Sequence, residues 1–437
     1  MSARDLQKLF LSARFQIFGA IFFVIFLPAF ARSGFNLNNF FETPQIDTVL
    51  GIALAVVLGY FFHSRIAVFP SAISERFIFL VFTFSFLFVA FIYFIFRLEY
   101  SRLTLLIGYA CCCAWFLAFN FLRRKSSRYR LSIVPIGRVD DLETIDNVEW
   151  VRMNKPEDFN PRTTGLVADL RTDLPPEWEH FLAQKALAGI RVFHVKQIKE
   201  TLLGKVEIEH LSENTLGSLN PNQAYLEIKQ TIDWISALAV LILLSPVFLI
   251  IAICIKLDSP GPILFKQVRK GYRGRNFVVY KFRTMTDCAP ETGDASTGTA
   301  DSGEAKLPDQ SRHSAITRDK DTRITKIGRF LRRTRIDELP QILNILRDEM
   351  SWIGPRPEAL VLSEWYEKEL PFYSYRHIVR PGISGWAQVS QGHVAEVDEV
   401  LEKLHYDFYY IKNFSMWLDV LIVLRTLRTV FTGHGAK

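Results

Sequence analysis

Four long apolar runs in the first third of the chain restrict its fold more than any other feature. They lie at approximately Phe15–Phe30, Val49–Phe62, Phe77–Phe96 and Leu103–Leu122. A helix that crosses a membrane needs about 20 mainly apolar residues, and about 17 is the lower limit. The third and fourth runs reach this length, whereas Pro28 interrupts the first, and the second is long enough only if it starts at Ile46. We therefore predict a four-helix transmembrane region over residues 1–125, rather than a buried bundle in a soluble protein.

The basic residues around these runs indicate how the region is oriented. Lys and Arg gather before the first run and after the fourth, at Arg4, Lys8, Arg14, Arg123, Arg124, Lys125, Arg128 and Arg130. The loop between the first two runs has only Arg32, although Arg97 and Arg102 in the third loop run against the pattern. Because basic residues favour the cytoplasmic side, we expect both ends of the region in the cytoplasm.

Charge and cysteine content exclude some partners and cofactors. The net charge of +7 fits an anionic lipid surface or phosphorylated substrates. No basic stripe with interleaved aromatic residues is present, so we expect no nucleic-acid partner. The five cysteines form no C-x-x-C pair, which gives no indication of a zinc site or a disulfide framework.

Residues 126–225 alternate short apolar strands with a helical pattern. The strands are predicted at Leu131–Gly137, Gly165–Asp169 and Ile190–Val195, and the helix at Trp178–Ala188. This βαβ pattern predicts a small Rossmann-like α/β domain. A dinucleotide-binding domain would carry G-x-G-x-x-G after its first strand, but Gly137 is followed by Arg138-Val139-Asp140-Asp141. We therefore expect a degenerate domain that does not bind NAD.

Two adjacent carboxylates in the C-terminal half carry the strongest chemical signal. Asp337 and Glu338 stand just before Pro340 and a helical pattern over residues 341–346. Proline suits the first position of a helix, so the pair is expected near the positive end of the helix dipole, where phosphates bind. A nucleophilic carboxylate beside a Mg²⁺-binding carboxylate suits phosphoryl transfer. Alone, the pair is equally compatible with a solvated helix start.

Five further blocks surround this pair: Ser259–Gln267, Arg269–Gly271, Lys281–Met285, Met350–Pro357 and Arg380–Trp386. In this order and spacing, they resemble the bacterial sugar transferases that act on polyprenyl phosphate, the monotopic-type phosphoglycosyl transferases. The resemblance covers roughly residues 228–437. It implies a mainly α-helical catalytic domain, which we place at 226–437, with a re-entrant membrane helix.

The resemblance also implies a reaction. A sugar-1-phosphate would pass from a UDP-sugar to polyprenyl (undecaprenyl) phosphate with release of UMP, as the first membrane step of exopolysaccharide, capsule or O-antigen synthesis. Asp337 would form a covalent phosphosugar intermediate, and Glu338, with Asp337 beside it, would hold Mg²⁺. The site would face the cytoplasm at the bacterial inner membrane, in a multi-pass protein. The membrane helices and middle domain are compatible with a homodimer, which no residue establishes.

Basic and amide side chains near the pair are candidates for binding substrate phosphates. Arg356 lies between two prolines that fix its backbone, and arginine binds phosphate through two parallel hydrogen bonds. The other candidates are Lys281, Arg283, Arg380, Arg335, Gln341 and Asn344. Gln341 and Asn344 share a helix face with Asp337, and they are equally compatible with capping and packing. For Arg356 and Arg380, the alternative is a structural ion pair.

Three further segments concern the membrane and substrate access. The apolar run 232–257 contains Ser245-Pro246, where a proline kinks a helix. We predict a helix that re-enters the cytoplasmic face, because a fifth span would put the following residues outside the cell, away from nucleotide sugars. Residues 287–310 are predicted to form a mobile loop, either a lid or a surface insertion. Residues 416–431 are predicted to form an interfacial helix, with a soluble core helix as the alternative.

Two other functions compete with this interpretation. One is a membrane oxidoreductase that uses NAD in the middle domain, which lacks the glycine fingerprint. The other is a non-catalytic membrane scaffold that regulates polysaccharide assembly, which would not need an Asp-Glu pair with proline-framed arginines.

Overall fold

The computed structural model describes residues 13–26, 43–66, 75–126, 129–145, 148–161, 163–208, 221–286, 323–391 and 397–432. The chain divides into two compact units, Met1–Gly204 and Lys205–Lys437. The division into three domains, at residues 1–125, 126–225 and 226–437, stays a prediction. The expected loop at 287–310 lies outside the described residues.

The first unit begins with apolar helices, as the sequence predicted. They are α1 (Ala13–Ala20, continued by a π-helical turn, Ile21–Phe26), α2 (Thr43–Ile66), α3 (Glu75–Phe96) and α4 (Arg102–Ser126). Helices α2, α3 and α4 are long and apolar enough to cross a membrane, and α1 is shorter. Phe82 and Phe116 stack with ring centroids 4.5 Å apart in the core between the helices. A Cβ at Gly59 would lie 2.4 Å from the Phe82 ring, so only glycine permits this close approach of α2 to α3.

The outward surface of these helices is also apolar. On α3, Phe88, Phe91 and Phe94 are 52%, 57% and 79% exposed. A contiguous exposed surface of this kind is rare on soluble proteins and fits contact with lipid.

A small parallel sheet follows in the same unit. Its strands are β1 (Tyr129–Ile133), β2 (Val148–Arg152), β3 (Gly165–Ala168) and β4 (Arg191–His194). Their order is β2-β1-β3-β4. The helices α5 (Pro176–Leu187) and α6 (Val195–Leu203) complete the unit. All four residues of β3 are buried, which is typical of a central parallel strand covered on both faces.

The second unit is mainly helical. Its helices are α7 (Gln223–Asp258), α8 (Lys326–Arg333), α9 (Ile342–Leu346), α10 (Leu360–Glu369), α11 (Trp386–Ser390), α12 (Val397–Lys412) and α13 (Met416–Thr432). An antiparallel pair joins β5 (Leu264–Lys270) to β6 (Asn276–Phe282), and a short parallel pair joins β7 (Ser351–Ile353) to β8 (Gly382–Ser384). Two 3₁₀ helices, Ile336–Gln341 and Tyr373–Ile378, complete the described elements that concern the site.

The sequence predicted a break at Ser245 and Pro246, but helix α7 is continuous through both residues, and it begins nine residues before the expected start at 232. Ser245 Oγ donates a hydrogen bond to the carbonyl of Ile242 at 2.8 Å. One side of the helix is buried, at Ala237, Ile251 and Ile255 among other positions, whereas most of its apolar side chains are exposed.

The C-terminal helix α13 covers the residues expected for it. Leu418, Leu421 and Ile422 are fully buried in the unit, so this side of the helix belongs to the core. Asp419 Oδ2 accepts hydrogen bonds from Tyr225 at 2.6 Å and from Lys229 at 2.7 Å, which ties α13 to the start of α7. The position at a membrane interface stays a prediction.

Candidate active site

The Asp-Glu pair lies within a 3₁₀ helix, Ile336–Gln341, rather than before the helix as the sequence indicated. Arg335 enters this turn with a φ of 57°, and its carbonyl accepts a hydrogen bond from the Glu338 amide at 3.3 Å. Pro340 lies inside this 3₁₀ helix and removes one amide donor from it. The α-helix that follows, α9, has only five residues. The local turn, with no long helix dipole behind it, therefore sets the direction of both carboxylates.

Glu338 is buried and bound by two cations. Its Oε1 accepts hydrogen bonds from Lys281 Nζ at 2.8 Å and from Arg356 Nη2 at 2.9 Å. Burial alone would raise the pKa of the Glu338 carboxyl, but the charges of Arg356 and Lys281 hold that pKa well below its usual range. Glu338 is therefore a carboxylate at neutral pH, and it fixes both cations.

Asp337 differs from Glu338 in its hydrogen bonding and in the direction of its pKa shift. Its Oδ1 is buried and has no hydrogen-bond partner among the described residues. Burial and the neighbouring Glu338 charge raise the pKa of Asp337, against the opposing effect of Lys281, Arg335 and Arg332. A buried carboxylate oxygen without a partner among the described residues is an unsatisfied acceptor, and weaker solvation makes it a better nucleophile towards a substrate that reaches it.

Lys281 and Arg356 reach Glu338 from different elements. Lys281 lies near the end of β6, where it pairs with Phe265 of β5. Burial lowers the pKa of Lys281, while the Glu338 carboxylate acts in the other direction. Arg356 lies in the loop between β7 and α10. The charge of the neighbouring Glu338 carboxylate raises the pKa of the Arg356 guanidinium. The site thus combines a strand and a rigid loop around the 3₁₀ turn.

The backbone around Arg356 explains why glycines surround it. The Gly354 amide donates to the Ser384 carbonyl at 2.9 Å, and the Gly382 amide donates to the Pro355 carbonyl at 3.0 Å. A Cβ at Gly382 would lie 2.0 Å from the Gly354 nitrogen. The loop is therefore held against β8 in a way that only glycine permits.

The two predicted amide residues have different positions. Gln341 is buried and lines a small cleft together with Arg269, Lys281 and Arg356. Asn344 is fully buried and uses its amide to join α9 to β6: Nδ2 donates to the Val278 carbonyl at 2.6 Å, and Oδ1 accepts from the Tyr280 amide at 3.2 Å. The hydrogen bonds of Asn344 are therefore structural.

The remaining predicted cations have other described interactions. Arg283 Nη2 donates hydrogen bonds to the carbonyl of Ser259 at 2.6 Å and to its Oγ at 2.9 Å, and so binds the residue that directly follows α7. Arg380 pairs with Asp348 at 2.6 Å. Arg335 contributes a positive charge that favours the ionised form of Asp337.

Sequence reasoning missed two arginines that contact the Arg356 loop. Arg269 donates to the carbonyl of Pro357, and Arg376 donates to the carbonyl of Arg356 at 2.9 Å. Arg269 belongs to the block Arg269–Gly271, which was a usable signal. Arg376 has no comparable signal, because its contact with Arg356 depends on the fold.

The donor set fits Mg²⁺, which usually binds one or two carboxylates together with waters and substrate phosphates. Asp337 Oδ1 has no partner in the described part of the chain, and the described hydrogen bonds of Glu338 both end on Oε1, which leaves Oε2. The described residues include no cluster of three or more His, Cys, Asp or Glu that could hold a metal by themselves. A metal here would therefore depend on oxygen ligands from the substrate.

Taken together, the site places three cations, Arg269, Lys281 and Arg356, around two carboxylates in a largely buried setting. Its net positive charge suits an anionic substrate, and the Asp337 oxygen that has no partner among the described residues suits nucleophilic attack.

Similarity to known proteins agrees with this chemistry. The model of the family described as bacterial sugar transferase matches residues 224–433. A protein from Aeromonas hydrophila is 42% identical over 414 residues, which are 94% of this chain and 93% of that protein. The chain therefore belongs to the bacterial sugar transferase family, as the sequence motifs indicated. It is a transferase, and its apolar helices together with its bacterial relatives indicate a bacterial membrane protein.

Two relatives are named as transferases that use undecaprenyl phosphate, and a third is named as an exopolysaccharide production protein. The Aeromonas protein is named UDP-N-acetylgalactosamine-undecaprenyl-phosphate N-acetylgalactosaminephosphotransferase. An Escherichia coli protein named UDP-glucose:undecaprenyl-phosphate glucose-1-phosphate transferase is 36% identical over 48% of this chain and 41% of its own length. A Rhizobium leguminosarum protein named exopolysaccharide production protein PSS is 39% identical over 48% of this chain and 98% of its own length.

Proposed function

We propose that this protein transfers a sugar-1-phosphate from a UDP-sugar to undecaprenyl phosphate, yielding undecaprenyl-diphosphate-sugar and UMP. The observation that carries the proposal is the buried Asp337 oxygen, which has no hydrogen-bond partner in the described part of the chain, next to Glu338 with its two bound cations. The names of the relatives support the same reaction and a role in surface polysaccharide synthesis.

The proposed reaction has two displacements. An oxygen of Asp337 attacks the β-phosphorus of the UDP-sugar, the bond to the bridging oxygen breaks, and UMP leaves with that oxygen. An oxygen of undecaprenyl phosphate then attacks the same phosphorus and breaks its bond to Asp337. The carboxylate is thereby regenerated, and the diphosphate-linked sugar forms.

The cations have a defined task in this reaction. Arg356 and Lys281 are oriented by Glu338 and stabilise the negative charge on the phosphoryl oxygens. Mg²⁺, held by Glu338 and Asp337, would supply further neutralisation of the diphosphate.

We also propose that α7 enters the membrane and returns to the cytoplasmic side. Before Pro246, Ala237 packs in a core with Phe277 and Ile342; after Pro246, Ile251 and Ile255 pack in a core that includes Leu331. Both halves of the helix therefore contact the same unit. A straight helix of 36 residues would be about 54 Å long and would carry one half away across a bilayer core of about 30 Å. This packing supports an active site at the cytoplasmic face of the inner membrane.

The parallel sheet supports a Rossmann-like middle domain and disfavours NAD binding. In doubly wound sheets, ligands bind beyond the carboxyl ends of the strands where the strand order reverses, here between β1 and β3. The Asp169 carboxylate occupies that position. It accepts hydrogen bonds from the backbone amides of Arg138 at 3.1 Å and Arg171 at 3.2 Å. Because these amides already bind a carboxylate, they do not offer a phosphate site. The oxidoreductase alternative thus gains no support.

The donor proposed for the first test is UDP-N-acetylgalactosamine. The Aeromonas relative, whose name contains this sugar, matches 94% of the chain, whereas the E. coli glucose transferase matches 48%. The expected homodimer stays a prediction, which light scattering of the solubilised protein tests.

The deciding experiment is UMP release by purified protein in nanodiscs, with Mg²⁺, undecaprenyl phosphate and a panel of UDP-sugars. We expect UMP with one donor, with loss in Asp337→Asn and after chelation of Mg²⁺. Release of UDP would instead indicate simple glycosyl transfer. If no donor gives product while the variant and the parent support polysaccharide synthesis equally in cells, the scaffold alternative replaces the proposal.

A further inference from the structure

Two arginines from different elements, the buried Arg376 and the partly buried Arg269, donate hydrogen bonds to two successive carbonyls of the loop that carries Arg356. Arg376 Nη2 donates to the carbonyl of Arg356 at 2.9 Å. Arg269 Nη1 donates to the carbonyl of Pro357. The flanking prolines have no amide with which to anchor the loop. The hydrogen bonds that these two carbonyls accept, together with those of the Gly354 and Gly382 amides, therefore fix the course of the loop.

Arg376 is itself held firmly. Its side chain is 3% exposed and lies 2.9 Å from Asp407, which is 2% exposed and belongs to α12. Its Nη1 also donates to the hydroxyl of Tyr373. A buried guanidinium needs several partners with fixed geometry, so Arg376 can adopt few other positions.

We propose that Arg376 is a positioning residue for the transfer reaction, acting through Arg356. Arg376 fixes the Arg356 carbonyl, and the loop then directs the Arg356 guanidinium to Glu338 and the substrate phosphate. The part that concerns the substrate rests on the proposed function. Lysine cannot replace Arg376, because one ammonium group does not reach Asp407, Tyr373 and the carbonyl with the geometry of a planar fork.

The first test does not depend on catalysis. Hydrogen exchange of the peptide that contains residues 354–359 is compared between the parent, Arg376→Lys and Lys229→Gln. Lys229 pairs with Asp419 at 2.7 Å, both side chains are 10% exposed, and neither residue belongs to the measured peptide, so Lys229→Gln is a matched loss of a buried ion pair away from the loop. We expect about tenfold faster exchange in Arg376→Lys, as loss of one charged hydrogen bond permits, and little change in Lys229→Gln. Equal exchange in parent and Arg376→Lys overturns the proposal.

The second test is a double-mutant cycle with Arg356→Lys, measured as UMP release. A misplaced catalytic group can cost about 100-fold in rate. We expect kcat to fall by about 10- to 100-fold in Arg376→Lys, with a smaller change in KM for the UDP-sugar. In the Arg356→Lys background, the same substitution should cost less than about threefold, because its effect passes through Arg356. Equal losses in both backgrounds contradict this role.

Two milder variants keep the inference testable if Arg376→Lys does not fold. Tyr373→Phe and Asp407→Asn each leave Arg376 in place with one weakened partner, and both should speed exchange at residues 354–359. If neither does, the proposal is wrong. Failure of UMP release by the parent would remove the proposed function, but the exchange result would still decide whether Arg376 holds the loop.

Discussion

The guanidinium of Arg356 lies 2.9 Å from the carboxylate of Glu338, with side chains only 17% and 8% exposed. The same carboxylate oxygen binds Lys281 at 2.8 Å. Buried charges are costly unless they are paired, so each member of this cluster depends on the others. The cluster therefore contributes to stability as well as to the position of the cations, and the two contributions can be measured separately.

Glu338→Gln is expected to destabilise the protein. Loss of one partner of a buried ion pair typically costs about 3–5 kcal/mol, because the cations Lys281 and Arg356 stay buried without a countercharge. The depressed pKa of Glu338 means that its contribution is complete above the unfolded-state pKa of about 4.3 and is lost as pH falls through the folded-state value. Thermal unfolding at pH 7 in detergent should show a Tm lower by several degrees. The exposed Glu364→Gln is the control, and equal Tm values for the two variants would contradict the prediction.

Asp337→Asn should abolish activity without loss of stability. Burial and Glu338 raise the pKa of Asp337, so its charge is disfavoured in the folded state, and a neutral amide relieves this cost. We expect an unchanged or higher Tm together with no UMP release. Incubation with a UDP-sugar labelled in the sugar should give a labelled protein for the parent and none for the variant. A parent protein that releases UMP without ever carrying label would argue for direct transfer.

The sequence was sufficient to predict the apolar helices, because apolar runs of this length and composition have few alternatives to a membrane helix. It also singled out Asp337, Glu338, Lys281 and Arg356, which the fold brings together. It could not give the order of the parallel strands, which depends on contacts between distant segments.

Asn344 and Arg376 make contacts that the local sequence pattern did not predict. Asn344 shares a helical face with Asp337, but the sequence does not reveal that β6 lies beside it and takes its hydrogen bonds. Arg376 acts on the carbonyl of Arg356, and a backbone acceptor leaves no trace in residue type. Contacts to the main chain of another element are therefore the part of the site that a single sequence does not encode visibly.

Arg380→Gln should have a small effect, in contrast to Arg356→Gln. Arg380 pairs with Asp348, whose side chain is 47% exposed, and such partly exposed pairs are worth about 0.2–1 kcal/mol. Arg356 binds the buried Glu338, and loss of a preorganised donor at a phosphoryl site costs about 100- to 1,000-fold in kcat. We expect UMP release within about threefold of the parent for Arg380→Gln. A loss as large as that of Arg356→Gln would show that Arg380 contacts substrate, as the sequence had suggested.

Lys281→Gln should move the acid limb of the pH profile upward. Attack requires ionised Asp337, so kcat/KM falls as pH drops through the Asp337 pKa. Burial and Glu338 raise this pKa, and Lys281 opposes them, so removal of its charge raises the pKa further. The acid limb of UMP release should therefore lie at higher pH in Lys281→Gln than in the parent, in addition to any fall in the plateau rate. Lys281→Arg keeps the charge and is the matched control, with its limb near that of the parent. A limb that stays in place in Lys281→Gln, while the plateau falls, would show that the pH dependence belongs to a group other than Asp337.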